Sequence, residues 1–289
     1  MNWSRILPAV ATVGVLAVGI SGCSSPQEPI ASPSASPTES PTERPSYRTL
    51  SPQPTPTPTI EVPDLKGDTE NAIAFAPLDN PDKVQVHGDV ETANAWSTSK
   101  VLVVLAYIDT VAGGDPDNLD DYQRSLIKRA LTASDMDALL ELRAGIPGGS
   151  GAPMTAILRS IGDDQTTAPD IREGSMYWSL RNQVRFMAAL AAGEVVNKQT
   201  SEYVLDTMTP IDEHSWGLGT IGASAFKGGW LEPYTETRQM GIVDGYAVAI
   251  ITTAGPAVLQ TDGDSAHVKA INQLAKTLQK YLAADQAGS

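Results

Sequence analysis

The 289-residue sequence has one cysteine, three histidines and only 20 basic residues against 34 acidic ones. A lone cysteine, Cys23, allows no disulfide within the chain, so a folded part must rest on its apolar core. The histidines, His87, His214 and His267, are widely spaced, and no pair has metal-ligand spacing. Asp115, Asp117, Asp120 and Asp121 read as a solvated turn rather than a calcium loop. Gly148-Gly149-Ser150-Gly151 is followed by no Lys-Ser/Thr, so it reads as a flexible loop rather than a phosphate cradle. No metal and no cofactor are expected. The net charge of -14 argues against a nucleic-acid partner, which needs a clustered Lys/Arg footprint. It argues equally against docking on anionic lipid heads through charge alone. Aromatics are scarce at 6%. Trp178, Trp216 and Trp230 fit either a pocket wall or the core.

What is present begins with a three-part leader. Asn2-Trp3-Ser4-Arg5 is weakly basic, residues 6–20 are apolar, and Ser21-Gly22-Cys23 supplies small residues before a cut. Ile20-Ser21-Gly22-Cys23 resembles a bacterial lipobox. That resemblance implies a lipoprotein signal peptide over 1–22 and a Cys23 that becomes the diacylated, palmitate-type N-terminus. An ordinary cleaved signal or an uncleaved membrane helix is the plainer alternative, although the apolar run is short of the roughly 20 residues a span needs. The partner implied is the cell membrane, reached through the lipid, on its extracytoplasmic face.

Residues 23–65 form a Pro/Ser/Thr-rich tether. Eleven of the 21 prolines fall between Pro26 and Pro63. So little apolar surface cannot fold, and the segment is predicted to be a disordered, extended arm. The domain follows over 66–289. Strands are predicted at 72–76 and 84–90, and a buried helix at 97–111. Further helices are predicted at 119–131, 134–143, 153–161, 179–192 and 200–208. Strands at 224–229, 235–243 and 246–253 precede an amphipathic helix at 266–282. Strands from both ends of the chain enclose a block of helices. This predicts an α/β chain of the α+β type: one antiparallel five-stranded sheet flanked by helices, with an inserted helical subdomain.

Three short stretches carry chemistry. In Trp96-Ser97-Thr98-Ser99-Lys100-Val101, a Ser and a Lys three residues apart share one helix face. An apolar run follows and buries the helix, so Lys100 is desolvated and its pKa falls. The bland alternative is Ser97 as a helix cap and Lys100 as a surface residue. Ser134-Asp135-Met136 could equally be a helix start, with Ser134 or Thr132 as the cap. Lys227-Gly228-Gly229 on a strand leaves backbone open to a ligand, or else marks a bulge or edge with Lys227 guarding it.

In order, these stretches resemble the S-x-x-K, S-D-N and K-T-G motifs of the penicillin-recognising serine enzymes, the class A β-lactamases and DD-peptidases. The stretches Trp178-Ser179-Leu180, Gly217-Leu218-Gly219 and Phe226-Lys227-Gly228-Gly229-Trp230 are similar to those of β-lactamase-like lipoproteins of actinobacteria. The resemblance implies a class A β-lactamase-like fold. It also implies Ser97 as nucleophile, Lys100 as its base, Ser134 as proton relay, and Lys227 as the group that polarises the relay and attracts a substrate carboxylate. The backbone N–H groups of Ser97 and Trp230 would hold the oxyanion, with Gly228 and Gly229 beside it.

The departures weaken that inheritance. Met136 replaces the Asn that would touch Lys100 and the substrate, a loss worth about 1–3 kcal/mol. Gly228 lacks the hydroxyl of K-T-G. No E-x-x-L-N precedes Ser179, and Glu173 and Asp170 lie in the right region in another context. The expectation is an acyl-serine hydrolase or transferase of the cell envelope with slow or absent β-lactam turnover. It would act on cell-wall peptides or on related amides and esters. The alternative is a catalytically impaired binding module for an envelope ligand or partner.

Overall fold

The β1 strand, Asn71–Pro77, alternates small and large apolar side chains. This sets the layering of the fold. Ile73 and Phe75 point to one face of the sheet, and Ala72, Ala74 and Ala76 to the other. Strand β5, Tyr246–Thr252, repeats the pattern, with Val248 and Ile250 on the first face and Ala247, Ala249 and Ile251 on the second. The two strands pair antiparallel with Ile73 opposite Ile250 and Phe75 opposite Val248. The large residues therefore meet on one side, and the alanines form a shallow floor on the other. These features belong to a computed structural model describing residues 60–90, 94–230, 236–253 and 266–288. The expected signal peptide, Cys23, the tether up to residue 59 and Thr235 lie outside the described residues.

The sheet is five-stranded and antiparallel, in the order β2-β1-β5-β4-β3, with β2 at Gln85–His87, β3 at Ala225–Trp230 and β4 at Thr237–Val243. On the large-residue face lies α7, Ala266–Gly288, which buries Ile271, Leu274, Ala275, Leu278 and Leu282. Their spacing of three and four is that of one helix face. On the alanine face lies α5, Leu180–Ala191, packed across β1 and β5.

The remaining helices form the inserted subdomain: α1 at Lys100–Val111, α2 at Asp121–Thr132, α3 at Met136–Gly145, α4 at Gly151–Ser160 and α6 at Lys198–Thr207. Helix α1 runs through its centre. Every residue from Val101 to Ile108 is buried, as a helix apolar on all sides requires. Its neighbours are α2, α3, α4 and α6.

Two predicted boundaries shift for local reasons. The second strand stops at His87 because Gly88 turns to φ +93°, where a Cβ would run into the backbone of Asn71. Residues Trp96–Ser99 form a tight 3-10 turn, and the α-helix starts only at Lys100. The Thr98 hydroxyl donates to Ala95 O at 2.5 Å and the Ser99 hydroxyl to Trp96 O at 2.6 Å, which tightens that turn.

Because Ile250 is fully buried between the sheet and α7, Ile250→Ala is expected to cost roughly 2–5 kcal/mol. The thermal unfolding midpoint should fall by on the order of 10 °C. An unchanged midpoint would contradict the packing described.

Candidate functional site

Ser97 sits in the 3-10 turn immediately before α1. The turn is strained at its entrance, since Trp96 holds φ +45°, a region that bulky residues rarely occupy. Ser97 is half-buried and Lys100, one turn on, is 1% exposed. Both line the same cavity. Burial pushes the Lys100 ammonium down to about 8, and the carboxylates of Glu173 and Asp135 offset part of that fall. A hydroxyl and a desolvated amine therefore line one cavity, and Lys100 is not a surface residue.

Strand β3 closes the site from the other side. Its Gly229 lies so near the Ser97 turn that an added Cβ would stand 2.7 Å from Ser97 N and 3.1 Å from Thr98 N. Only glycine lets the two backbones meet there. Lys227, two residues earlier, faces the same way and is 3% exposed. Its Nζ donates to Ser134 Oγ at 2.7 Å and to Gly228 O at 2.8 Å. Burial, and next the charge of Lys100, hold it well below the usual lysine range. Ser134 itself is left-handed at φ +57°. Ser134 therefore does not act as a helix cap. Asp135 does, accepting from Ala138 N at 3.0 Å, while Arg129 pairs with its carboxylate at 2.5 Å.

The cavity between these walls has a volume of about 620 Å³ and is also lined by Trp96, Met136, Leu140, Arg143, Ile171, Glu173 and Trp230. Neither Lys227 nor Ser134 is among the residues that line it. Glu173 is the principal residue whose role the sequence motifs did not show. It is buried, faces the cavity and forms an ion pair with Arg143 at 2.9 Å. The turn that carries it, Glu173–Ser175, packs on Trp96 through Gly174, where a Cβ would stand 3.3 Å from the Trp96 backbone. Asp170 serves structure instead, accepting from Gly151 N at 2.8 Å at the start of α4. A Glu with a matched Arg thirty residues earlier leaves no periodic trace in sequence.

Gly228 differs from its expected surroundings. Strand alternation aims its missing side chain away from Lys227, and a Cβ there would stand 3.3 Å from the Trp216 ring. A side chain at 228 would therefore crowd the Trp216 indole. Trp216 is held in place by Gln239 of β4, which donates to Trp216 O at 2.9 Å and accepts from Leu218 N at 2.7 Å. It also meets Trp230 edge-on, with ring centroids 5.4 Å apart. Trp178 is core, edge-on to Phe186.

A buried polar chain supports the Ser97 turn from below. Gln183 of α5 donates to Thr98 Oγ1 at 2.8 Å and accepts from Arg238 Nη2 at 2.5 Å. Arg238, fully buried on β4, also donates to Asn94 O at 2.7 Å and Trp178 O at 2.9 Å. Helix, strand and turn are thereby tied together by buried hydrogen bonds.

Since a methyl at 229 has nowhere to go, Gly229→Ala is expected to push β3 off the Ser97 turn. Any Ser97-dependent acylation should fall at least a hundredfold while the thermal midpoint changes by only a few degrees. Intact-mass kinetics beside a melting curve check this, and wild-type kinetics in the variant would contradict the close approach.

Neither a protein-family model nor a curated protein sequence matches the chain. Solved structures do. The TLA-1 extended-spectrum β-lactamase aligns with a TM-score of 0.58 at 14% identity, over 75% of this chain and 94% of its own. The chromosome-encoded β-lactamase of Vibrio parahaemolyticus aligns with a TM-score of 0.58 at 16% identity, over 73% of this chain and 93% of its own. PBP-A, solved as an acyl-enzyme complex with penicillin G, aligns with a TM-score of 0.56 at 18% identity, over 73% and 89%. The five-stranded antiparallel sheet and its helices therefore make up the fold of the class A serine β-lactamases, which PBP-A shares.

Proposed function

We propose that this chain is an envelope lipoprotein, anchored through Cys23 on the extracytoplasmic face of the membrane, whose domain acts as an acyl-serine hydrolase or transferase. One observation carries the enzymatic half: Ser97 and a desolvated Lys100 share the wall of one cavity. With its ammonium held to about 8, a substantial fraction of Lys100 is neutral near pH 7–8 and can accept the Ser97 proton. Ser97 Oγ then bonds to the carbonyl carbon of an amide or ester. The negative oxygen faces the N–H groups of Ser97 and Trp230 at the β3 approach. The leaving group departs with the proton, relayed through Ser134, which Lys227 holds at 2.7 Å. Water completes hydrolysis, and another acceptor completes transfer.

Deacylation is the slow half of this cycle. Glu173 faces the cavity, but its carboxylate is already engaged by Arg143 at 2.9 Å. Met136 offers no hydrogen bond where an amide side chain would hold substrate, at a cost of one to two decades in rate. These same two features favour a second reading, an impaired binding module that holds an envelope peptide or small molecule in the cavity.

Incubation with a reporter penicillin and with a fluorophosphonate is expected to add a mass to the protein that Ser97→Ala abolishes. Acylation should rise with pH through about 8, because the base works only when neutral and is protonated below that value. The Glu173 carboxylate raises the Lys100 pKa, so Glu173→Gln should move this limb to lower pH. Neither turnover nor a Ser97-dependent mass shift would leave only the binding module. The anchor is tested separately. Cys23→Ala should shift the protein from the membrane fraction to the soluble one, and unchanged partitioning would refute lipidation.

A further inference from the structure

The cavity is apolar on the side that α3 and the loop facing it supply. Helix α3 sends Met136 and Leu140, four residues apart and so on one face, to its mouth. Ile171 stands on the facing loop. They are 53%, 40% and 65% exposed, a concentration of bare aliphatic surface that a monomeric protein rarely leaves without use. Trp96 and Trp230 continue the same surface inward to Ser97. The volume of about 620 Å³ lies within the range of sites that enclose a small organic molecule, about 300–1,000 Å³.

Besides Lys100, two of the cations near the cavity are engaged. Lys227 does not line it and is bonded to Ser134 Oγ and Gly228 O. Arg143 is paired with Glu173 at 2.9 Å. Arg172 lines the cavity only at its exposed rim, where salt screens its charge. The hydroxyl of K-T-G is lacking at Gly228, which packs against the Trp216 indole. A neutral substrate with an apolar part loses nothing in such a site, and an anionic one gains little.

We infer that the cavity takes a neutral ester with an aliphatic acyl chain, the carbonyl carbon at Ser97 and the chain laid over Met136, Leu140 and Ile171. This rests on Ser97 acting as the acyl acceptor and narrows the substrate class of that site. In the reaction, the Ser97 Oγ–carbonyl bond forms and the carbonyl–alkoxy bond breaks. The alcohol leaves with the serine proton. Water then splits the acyl-serine into a fatty acid and the free hydroxyl.

The whole chain is assayed with p-nitrophenyl acetate, butyrate and octanoate, subtracting the rate of Ser97→Ala. From acetate to octanoate, kcat/KM is expected to rise at least tenfold, while a carboxylate-bearing reporter penicillin reacts more slowly than octanoate. Leu140→Asp and Ile171→Asp, changes at exposed positions that should leave the melting curve in place, are expected to reduce the octanoate rate at least fivefold more than the acetate rate. A flat or falling chain-length profile with Ser97-dependent acetate turnover overturns the inference but not the serine chemistry. A preference for octanoate that survives both substitutions overturns it as well. No Ser97-dependent reaction with any ester or with a fluorophosphonate sinks the serine chemistry itself.

Discussion

Strand β3 lies directly against the turn that carries Ser97, and the contact is possible only because residue 229 has no side chain. From this approach follows most of what is distinctive in the site. It aligns Lys227 with Ser134 across 93 residues of sequence, at 2.7 Å. It also brings Lys227 close enough to Lys100 for their charges to oppose each other. Two ammonium groups so near one another in a buried space cannot both be comfortably charged. Burial lowers the Lys100 ammonium to about 8, and the carboxylates of Glu173 and Asp135 act against that fall. Ser97 lines the same cavity.

Holding two backbones that close needs a rigid support, and the sheet provides it on both faces. On one face, Arg238 and Gln183 connect β4, α5 and the Thr98 turn through buried hydrogen bonds. On the other, Gln239 fixes the turn bearing Trp216, and Gly217 at φ +61° makes room for the Gln239 amide. Adjacent residues of one strand thus brace opposite sides of the site, a direct use of the two-residue period of β-structure. Strained backbone gathers here too. Trp96, Ser134 and Arg172 all hold positive φ, and such strain persists only where surrounding contacts overdetermine it.

The departures from the penicillin-recognising motifs form a coherent set. Met136 offers no polar contact, Trp216 packs against Gly228, and Glu173 is paired with Arg143. The cavity thus sets Met136, Leu140 and Ile171 beside Ser97, Lys100 and a neutralised acid-base pair.

Local chemistry by itself determined the elements: alternating strands, an all-apolar central helix and an amphipathic last helix each announce their form within ten or twenty residues, because burial sets their period. The Ser-x-x-Lys pair was legible for the same reason, both partners lying within one helical turn. The fold class followed from the order of strands and helices. Tertiary structure alone decided that Lys227 meets Ser134, that Trp216 packs against Gly228 and that Glu173 meets Arg143. Those relations join residues 12 to 93 positions apart. They depend on how close two packed layers come, and spacing along a chain carries no record of that distance.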